Sequence, residues 1–235
     1  MKKVGIIGGS GFAGEELIKF LSAHETSDLI AVSSRDRKDK KVADLVKDCN
    51  LNFVDPDDDI FFECDVVFFA TPHGVSMKKA GSFLDRGIKV VDLSADYRLK
   101  DTGIWKEWYG SEHLDKENLR TAIYGLTELN TDQIKKANLI AVPGCYPTAS
   151  ILGLLPLTSG KFKIGSISID AKSGISGAGR STVENVLKTE IQENFRAYAT
   201  SGHRHLPEIK QVLQENYGSG LEINFLPHLI PAMRG

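Results

Sequence analysis

The sequence lacks the features that mark several large protein classes. Its 235 residues include only three cysteines, with no repeated spacing, so neither a disulfide framework nor a Cys-x-x-Cys metal site is predicted. No apolar run approaches the roughly 18 residues that a membrane span requires, and no signal-peptide core is present. The formal net charge is −2, which argues against a nucleic-acid or membrane-surface role. We therefore expect a cytoplasmic protein that binds no nucleic acid, no membrane and no metal.

What remains is the composition of a folded protein with enough chain for two modest domains. Hydrophobic residues make up 41% and charged residues 26% of the sequence, which suits a packed core. Residues 36–59 are polar and include an acidic run, which we interpret as a solvated helix and loop rather than a metal site. No G-x-S-x-G nucleophile elbow occurs, so a serine hydrolase of that type is not indicated.

A glycine-rich loop follows the first apolar run. Residues 4–7 predict a buried strand and residues 15–21 a helix, and the segment between them reads GGSGFAG. This is a variant of the dinucleotide fingerprint, whose glycines let a turn close and let the backbone approach a pyrophosphate at a helix N-terminus. The cofactor contacts predicted in this loop are Gly8, Ser10, Gly11, Phe12 and Gly14.

The end of the predicted second strand indicates which cofactor is preferred. An NAD site usually places an acidic residue there, whereas this strand, at residues 28–35, ends in Ser33-Ser34-Arg35. Hydroxyl groups and a guanidinium suit a 2′-phosphate, so NADP is predicted. A merely polar strand end is the alternative.

Alternating strand and helix signals continue to about residue 145. Strands are predicted at residues 65–72, 89–94 and 139–142, with a helix at 75–84 and a long connection at 100–138 whose aromatic residues we assign to packing. This alternation predicts a doubly wound parallel α/β domain over residues 1–145. His73, in the loop after residue 72, is expected on the cofactor side.

Cys145 lies on the turn between a predicted strand and a predicted helix. The N–H groups and dipole of a helix N-terminus favour a thiolate, so the position suits a nucleophile. A buried structural cysteine is the competing interpretation.

The pattern changes after Cys145, which predicts a second, α+β domain over residues 146–235. Strands are expected at residues 164–171 and 221–226 and helices at 183–195 and from about 201. The glycine-rich loop between them can offer N–H groups to an anion, and we expect Ser173 and Gly174 there to contact the cofactor. With His203 and His205, Cys145 and the NADP site suggest one chemistry. The thiolate attacks an acyl group, hydride passes to or from the thioester, and a histidine handles protons.

Six motifs together give the chain a family resemblance. They are GGSGFAG at 8–14, SADYRL at 94–99, PGCYPT at 143–148, AKSGISGAGR at 171–180, GHRH at 202–205 and PHLIP at 227–231. The combination resembles the N-acetyl-gamma-glutamyl-phosphate reductases of arginine biosynthesis. The resemblance implies a Rossmann domain followed by a glyceraldehyde-3-phosphate-dehydrogenase-like domain, and NADPH-dependent reduction of an acyl phosphate to N-acetyl-glutamate 5-semialdehyde.

The resemblance also implies roles for individual residues. Cys145 matches the family nucleophile, and the segment with His203 and His205 matches the one that supplies the acid/base, for which we favour His205. Arg98, Arg180 and Arg204 are candidates for holding phosphate or the substrate carboxylate, with a surface arginine as the alternative for each. A homo-oligomer, either dimer or tetramer, is expected. Family members usually continue for about another hundred residues, so we expect residues 146–235 to be an incomplete domain and the isolated chain to be poorly active.

Alternatives stay open at this point. A related acyl-phosphate reductase, such as an aspartate-semialdehyde dehydrogenase or a carrier-bound aminoadipyl-phosphate reductase, would share the fold and the cysteine chemistry. A non-catalytic NADP-binding protein is the alternative from another functional class.

Overall fold

The chain divides into two units. The computed structural model describes residues 1–158, 162–180, 183, 194–218 and 220–233. The first unit comprises Met1–Thr102 and Ser111–Pro143, and the second comprises Gly103–Gly110 and Gly144–Gly235.

A parallel sheet forms the centre of the first unit. Its seven strands are β1 (Lys2–Ile7), β2 (Ser27–Ser33), β3 (Phe53–Val54), β4 (Val66–Phe69), β5 (Lys89–Asp92), β6 (Ile123–Tyr124) and β7 (Leu139–Ala141). They lie in the order β3-β2-β1-β4-β5-β7-β6, and every neighbouring pair is parallel. The predicted doubly wound parallel domain is confirmed. The short strand β6 was not predicted, because two residues carry no periodic signal.

Five helices lie between these strands in chain order: α1 (Phe12–Ser22), α2 (Ser76–Leu84), α3 (Thr102–Tyr109), α4 (Lys116–Leu119) and α5 (Thr127–Lys136). All but the first residue of α3 belongs to the second unit. The prediction of a helix within residues 36–59 is wrong, because the region holds only the 3-10 turn Val42–Asp44 and the short strand β3. A second 3-10 turn, Asp59–Glu63, begins at its last residue. Val42, Cys49 and Phe53 are buried against the strand core. The region therefore gains stability from these scattered apolar contacts rather than from one apolar helix face.

The second unit packs helices with a three-stranded sheet. Its elements are α6 (Cys145–Thr158), β8 (Ser166–Ser173), β9 (Arg196–Ala197), α7 (His205–Tyr217) and β10 (Glu222–Leu229). β10 is central, parallel to β8 and antiparallel to β9, which confirms an α+β unit. Most of the helix predicted at 183–195 lies outside the described residues. No helix in the described ranges has the length and apolarity needed to span a bilayer.

Asp92, at the end of β5, is a fully buried carboxyl group. Its Oδ1 accepts the backbone N–H of Ser94 and its Oδ2 accepts the Ser94 hydroxyl, both at 2.9 Å. Burial, followed by the nearby charge of Asp96, raises the pKa of Asp92 to about 6. Ionising Asp92 therefore costs more in the folded chain than in the unfolded chain.

Replacing Asp92 with Asn should remove a pH dependence of stability. Because the folded-state pKa is raised, the stabilising contribution is complete below the unfolded value of about 3.9 and is lost as the pH rises through about 6. In Asp92→Asn the melting temperature should vary less between pH 4 and 7 (roughly the window of the two pKa values) than in the unmutated chain. At pH 8 it should be higher than in the unmutated chain. An unchanged melting profile in the variant would contradict this account.

Candidate active site

The glycine loop of the first unit is shaped by close backbone packing. Gly8 has a φ of +95°, in the region that favours glycine, and an added Cβ there would lie 2.5 Å from the carbonyl oxygen of Ala70. A Cβ on Gly14 would lie 2.5 Å from the carbonyl oxygen of Gly8, so only glycine lets α1 pack this closely on the end of β1. A Cβ on Gly11 would meet nothing within 4 Å. The loop therefore presents an open backbone face at the N-terminus of α1, as a bound pyrophosphate requires.

Two of the predicted 2′-phosphate residues are engaged with this loop. The buried Ser33 hydroxyl accepts the Gly8 N–H at 3.3 Å, and the buried Ser34 hydroxyl donates to the Ser10 hydroxyl at 2.8 Å. Arg35 is exposed just beyond the end of β2. The structure thus gives Ser33 and Ser34 a supporting role beneath the loop, and contact of these residues with a 2′-phosphate stays a prediction.

Within the SADYRL motif, Asp96 is tied to the start of α2. Its carboxylate accepts the backbone N–H of Gly74 at 2.6 Å, the backbone N–H of Met77 at 3.0 Å and the hydroxyl of Ser76 at 2.9 Å. A carboxylate at a helix N-terminus is favourable for both capping and dipole reasons. The loop that carries the exposed His73 is thereby fixed at its far end.

Arg98, a predicted substrate contact, bonds to the backbone of the first unit. The residue is only 9% exposed. Its Nε donates to the carbonyl oxygen of Val142 at 2.7 Å, and one Nη donates to the carbonyl oxygen of Leu93 at 2.8 Å. The guanidinium fork that suggested an anion site therefore holds two backbone carbonyl groups. Arg98 therefore braces the end of β7, just before Pro143, and its contact with substrate stays a prediction.

Cys145 is exposed and begins α6, whereas Cys49 and Cys64 are buried. The helical ladder begins with the Thr148 N–H donating to the Gly144 carbonyl at 2.9 Å. The N–H groups of Cys145 and Tyr146 precede that bond, so they are not used within the helix. An exposed thiol at a helix N-terminus excludes the buried structural interpretation and gives two N–H groups that can face a developing negative charge.

His203 and His205 lie together beside the residue that follows Cys145. Their ring centroids are 4.7 Å apart, and the Tyr146 ring packs edge-on against both, at 5.7 Å from His203 and 5.8 Å from His205. The structure therefore gathers the predicted nucleophile segment and the predicted acid/base segment into one cluster of the second unit.

The two histidines differ in their hydrogen bonding. The Nδ1 of His203 accepts the backbone N–H of His205 at 3.1 Å, so the proton of the neutral ring lies on Nε2. Burial, followed by the charge of Arg204, lowers the pKa of His203. His203 is consequently a neutral imidazole at neutral pH, with an N–H on Nε2 that can donate. This suits orientation of a substrate better than proton exchange.

Tyr198 is a member of this cluster that the sequence did not indicate. Its hydroxyl donates to the Tyr146 hydroxyl at 3.1 Å, and its ring packs edge-on against His203 at 5.7 Å. Burial, followed by the bond to Tyr146, raises the pKa of Tyr198, and the charge of Cys145 acts in the same direction. Tyr198 therefore remains a protonated donor within this cluster. Its only signal in the sequence is its place shortly before the histidine motif.

The remaining predicted residues lie in the second unit. The guanidinium of Arg204 lies 5.5 Å from the Tyr109 ring centroid, a cation–π arrangement that ties the exposed arginine to α3. Arg180 is half-buried at the end of the glycine-rich loop. The N–H groups of Ile175 and Ser176 in that loop donate to the carbonyls of Ala232 and Met233, both at 2.9 Å. Those two N–H groups are therefore not open to an anion, and cofactor contacts at Ser173 and Gly174 stay a prediction.

No group of three or more His, Cys, Asp or Glu side chains in the described ranges could hold a metal ion.

Two family models together match nearly the whole chain. Residues 3–137 match the semialdehyde dehydrogenase NAD-binding domain, and residues 145–235 match the semialdehyde dehydrogenase dimerisation domain.

Curated relatives match along the full chain. The N-acetyl-gamma-glutamyl-phosphate reductase of Aromatoleum aromaticum is 44% identical over 240 residues, which cover 100% of this chain and 70% of the relative. The enzyme of the same name from Ruthia magnifica is 48% identical over 240 residues, with 100% and 71% covered.

Solved structures show the same fold at low identity. Aspartate semialdehyde dehydrogenase II of Vibrio cholerae has a TM-score of 0.74 at 14% identity, covering 99% of this chain and 71% of that one. The NADP complex of the Candida albicans aspartate semialdehyde dehydrogenase has a TM-score of 0.68 at 18% identity, covering 99% and 68%.

Proposed function

This chain belongs to the semialdehyde dehydrogenase family, and from that premise we propose that it reduces N-acetyl-glutamyl 5-phosphate to N-acetyl-glutamate 5-semialdehyde with NADPH. The observation that carries the proposal is the cluster of an exposed Cys145 at a helix N-terminus with His203 and His205. The similarity of 44% and 48% to two enzymes named for this reaction supports the choice of substrate. The reaction is a step of arginine biosynthesis.

The chemistry begins at Cys145. Its thiolate attacks the acyl carbon and forms a thioester, while the carbon–oxygen bond to phosphate breaks and inorganic phosphate leaves. The N–H groups of Cys145 and Tyr146 stabilise the oxyanion of each tetrahedral intermediate. His205 handles the proton that accompanies thiolate formation and aldehyde release, and His203 donates from Nε2 to orient the substrate. NADPH, when bound, supplies the hydride that reduces the thioester.

The first unit fits the cofactor in its glycine loop. The open backbone at Gly11 and the close packing at Gly14 fit a pyrophosphate, with Gly8, Ser10 and Phe12 completing the loop. Arg35 holds the 2′-phosphate. We assign cofactor binding chiefly to residues 1–145, and catalysis to Cys145 together with residues 146–235.

The family also suggests how the chain assembles and where it works. The match of residues 145–235 to a dimerisation domain supports a homo-oligomer built from dimers. An exposed thiol that must stay reduced favours action in the cytoplasm. The substrate is a small molecule, and no nucleic-acid partner is proposed.

The proposal is tested by absorbance at 340 nm in the reverse direction. Purified chain is supplied with NADP, inorganic phosphate and one of three aldehydes: N-acetyl-glutamate semialdehyde, aspartate semialdehyde or a carrier-bound aminoadipate semialdehyde. Phosphate-dependent NADPH formation with the first aldehyde is expected, at the low rate that the sequence predicts for the isolated chain. Preference for one of the others would assign a different acyl phosphate, and no turnover with any of them would favour a non-catalytic NADP-binding protein.

Replacing Arg35 with Ala should weaken NADPH binding selectively. A charge-assisted bond to phosphate is worth roughly 1.5–3 kcal/mol, so we expect about a ten- to hundredfold rise in the Kd for NADPH and little change for NADH. Calorimetric titration of both cofactors measures this, with the exposed Arg120→Ala as the control. Equal affinity of the unmutated chain for NADPH and NADH would remove the NADP assignment.

The two histidines should respond differently to replacement by Asn. His205→Asn should reduce kcat by roughly 10²- to 10⁴-fold and remove the ionisation of the acid/base from the pH–rate profile. His203→Asn should raise KM for the acyl phosphate while keeping that ionisation. If His203→Asn loses the rate and the profile and His205→Asn keeps both, the roles are reversed.

A further inference from the structure

Glu208 is a buried carboxyl group inside the second unit. Its residue is 1% exposed, and its Oε1 accepts the backbone N–H of Gly144 at 2.9 Å. A carboxyl group taken out of water is costly unless it gains hydrogen bonds, so such a group in a core needs a reason. None of the roles described above uses it.

The position of Glu208 connects the two halves of the reactive cluster. Gly144 immediately precedes Cys145, and its carbonyl accepts both the N–H and the hydroxyl of Thr148 at 2.9 Å. Gly144 therefore occupies the N-cap position of α6. Glu208 lies in α7, which begins at His205. Residues three apart in a helix lie on the same side, so Glu208 sits one turn below the histidine.

We propose that Glu208 is a positioning residue that holds the Cys145 turn in register with the helix that begins at His205. One carboxyl group, acting through the Gly144 N–H, fixes where the nucleophile stands relative to its acid/base. The inference rests on the proposed function insofar as Cys145 is the nucleophile. It also removes the Gly144 N–H from the possible oxyanion donors, which leaves those of Cys145 and Tyr146.

Two readouts separate positioning from simple packing. Steady-state kinetics give kcat and the KM for NADPH separately. Alkylation of Cys145 by iodoacetamide, without substrate and at one fixed pH, reports the thiol and its surroundings. Among the described residues of the cluster, Tyr146, Tyr198, His203 and His205 are titratable and remain unchanged in the variants, and Glu208→Gln and Glu208→Met both remove the Glu208 carboxyl group.

The experiment compares Glu208→Gln with Glu208→Met. Both side chains approximate the volume of glutamate, but only glutamine keeps an oxygen that can accept the Gly144 N–H. Misplacing a reacting group by about 1 Å costs on the order of 10²-fold in rate. Glu208→Met should therefore lower kcat about 10²-fold and the rate of Cys145 alkylation about tenfold, and it should leave KM for NADPH unchanged. Glu208→Gln should stay within about tenfold of the unmutated kcat, because its acceptor is kept.

Controls decide the remaining outcomes. Glu215→Gln, on the exposed side of the same helix, should change neither readout. If Glu208→Met does not fold, Glu208→Asp replaces it in the comparison. The shorter side chain keeps the carboxylate but moves it away from the Gly144 N–H, so the kcat of Glu208→Asp should be lower than that of Glu208→Gln. The proposal would be overturned if Glu208→Gln, which keeps an acceptor for the Gly144 N–H, showed the same kcat and alkylation rate as Glu208→Met or Glu208→Asp. An unmutated chain that is alkylated at Cys145 but reduces no acyl phosphate would refute the proposed function alone, and the alkylation rates would still test Glu208.

Discussion

Cys145→Ser should reduce turnover of the acyl phosphate by at least about 10³-fold, since a hydroxyl is a far weaker nucleophile than a thiol at neutral pH. The side chain is exposed at the first position of α6, so the substitution adds no strain and removes no core contact. NADPH affinity should be unchanged, because the glycine loop belongs to the other unit. Turnover at 340 nm and calorimetric binding of NADPH measure the two quantities on one sample.

The other two cysteines provide matched controls. Cys49→Ala and Cys64→Ala remove buried thiols, which an acyl phosphate in solution cannot reach. Burial also raises the pKa of Cys64 to about 12, so that thiol forms no thiolate that could replace Cys145. Each variant should lose some stability and retain its activity. A Cys145→Ser enzyme with near-normal turnover would eliminate the thioester intermediate.

Local signals made part of this molecule predictable. The glycine loop between β1 and α1 is defined by residues close together in sequence, and the Cys145 turn lies between an apolar strand and an apolar helix. Hydrophobic periodicity, turn-forming residues and the position of a helix N-terminus can all be recognised within such short segments. The structure places both features where the sequence indicated.

Contacts between distant residues were not predictable in the same way. Arg98 bonds to Val142, 44 positions later, and Gly144 bonds to Glu208, 64 positions later. A guanidinium can bind a carboxylate, a phosphate or a pair of backbone carbonyls, so the residue type alone left the role of Arg98 open. Similarly, the segment Gly103–Gly110 belongs to the second unit, where a Cβ added to Gly202 would lie 2.9 Å from the Trp108 ring. No hydrophobic periodicity or motif in the sequence indicates that this segment leaves the first unit.

Gly14→Ala and Gly11→Ala should separate the two reasons for a glycine in the cofactor loop. At Gly14 an added Cβ would lie 2.5 Å from the carbonyl oxygen of Gly8 and 2.7 Å from the Cα of Gly9, and backbone atoms cannot move aside without shifting α1 from β1. Overpacking of this kind costs roughly 1–3 kcal/mol, which for a chain of this size lowers the melting temperature by about 2–12 °C. NADPH binding should fall with it.

Gly11 should behave in the opposite way. Its φ is −75° and an added Cβ would meet nothing within 4 Å, so alanine fits the folded chain. The melting temperature of Gly11→Ala should stay within about 2–4 °C of the unmutated value, the shift that about 1 kcal/mol produces. The new methyl group nevertheless stands where the backbone is expected to approach the pyrophosphate, so the Kd for NADPH should rise at least about tenfold. Thermal melts and NADPH titrations of both variants give four values. Normal NADPH binding by Gly11→Ala would place the pyrophosphate elsewhere, and an unchanged melting temperature for Gly14→Ala would show that α1 can shift without cost.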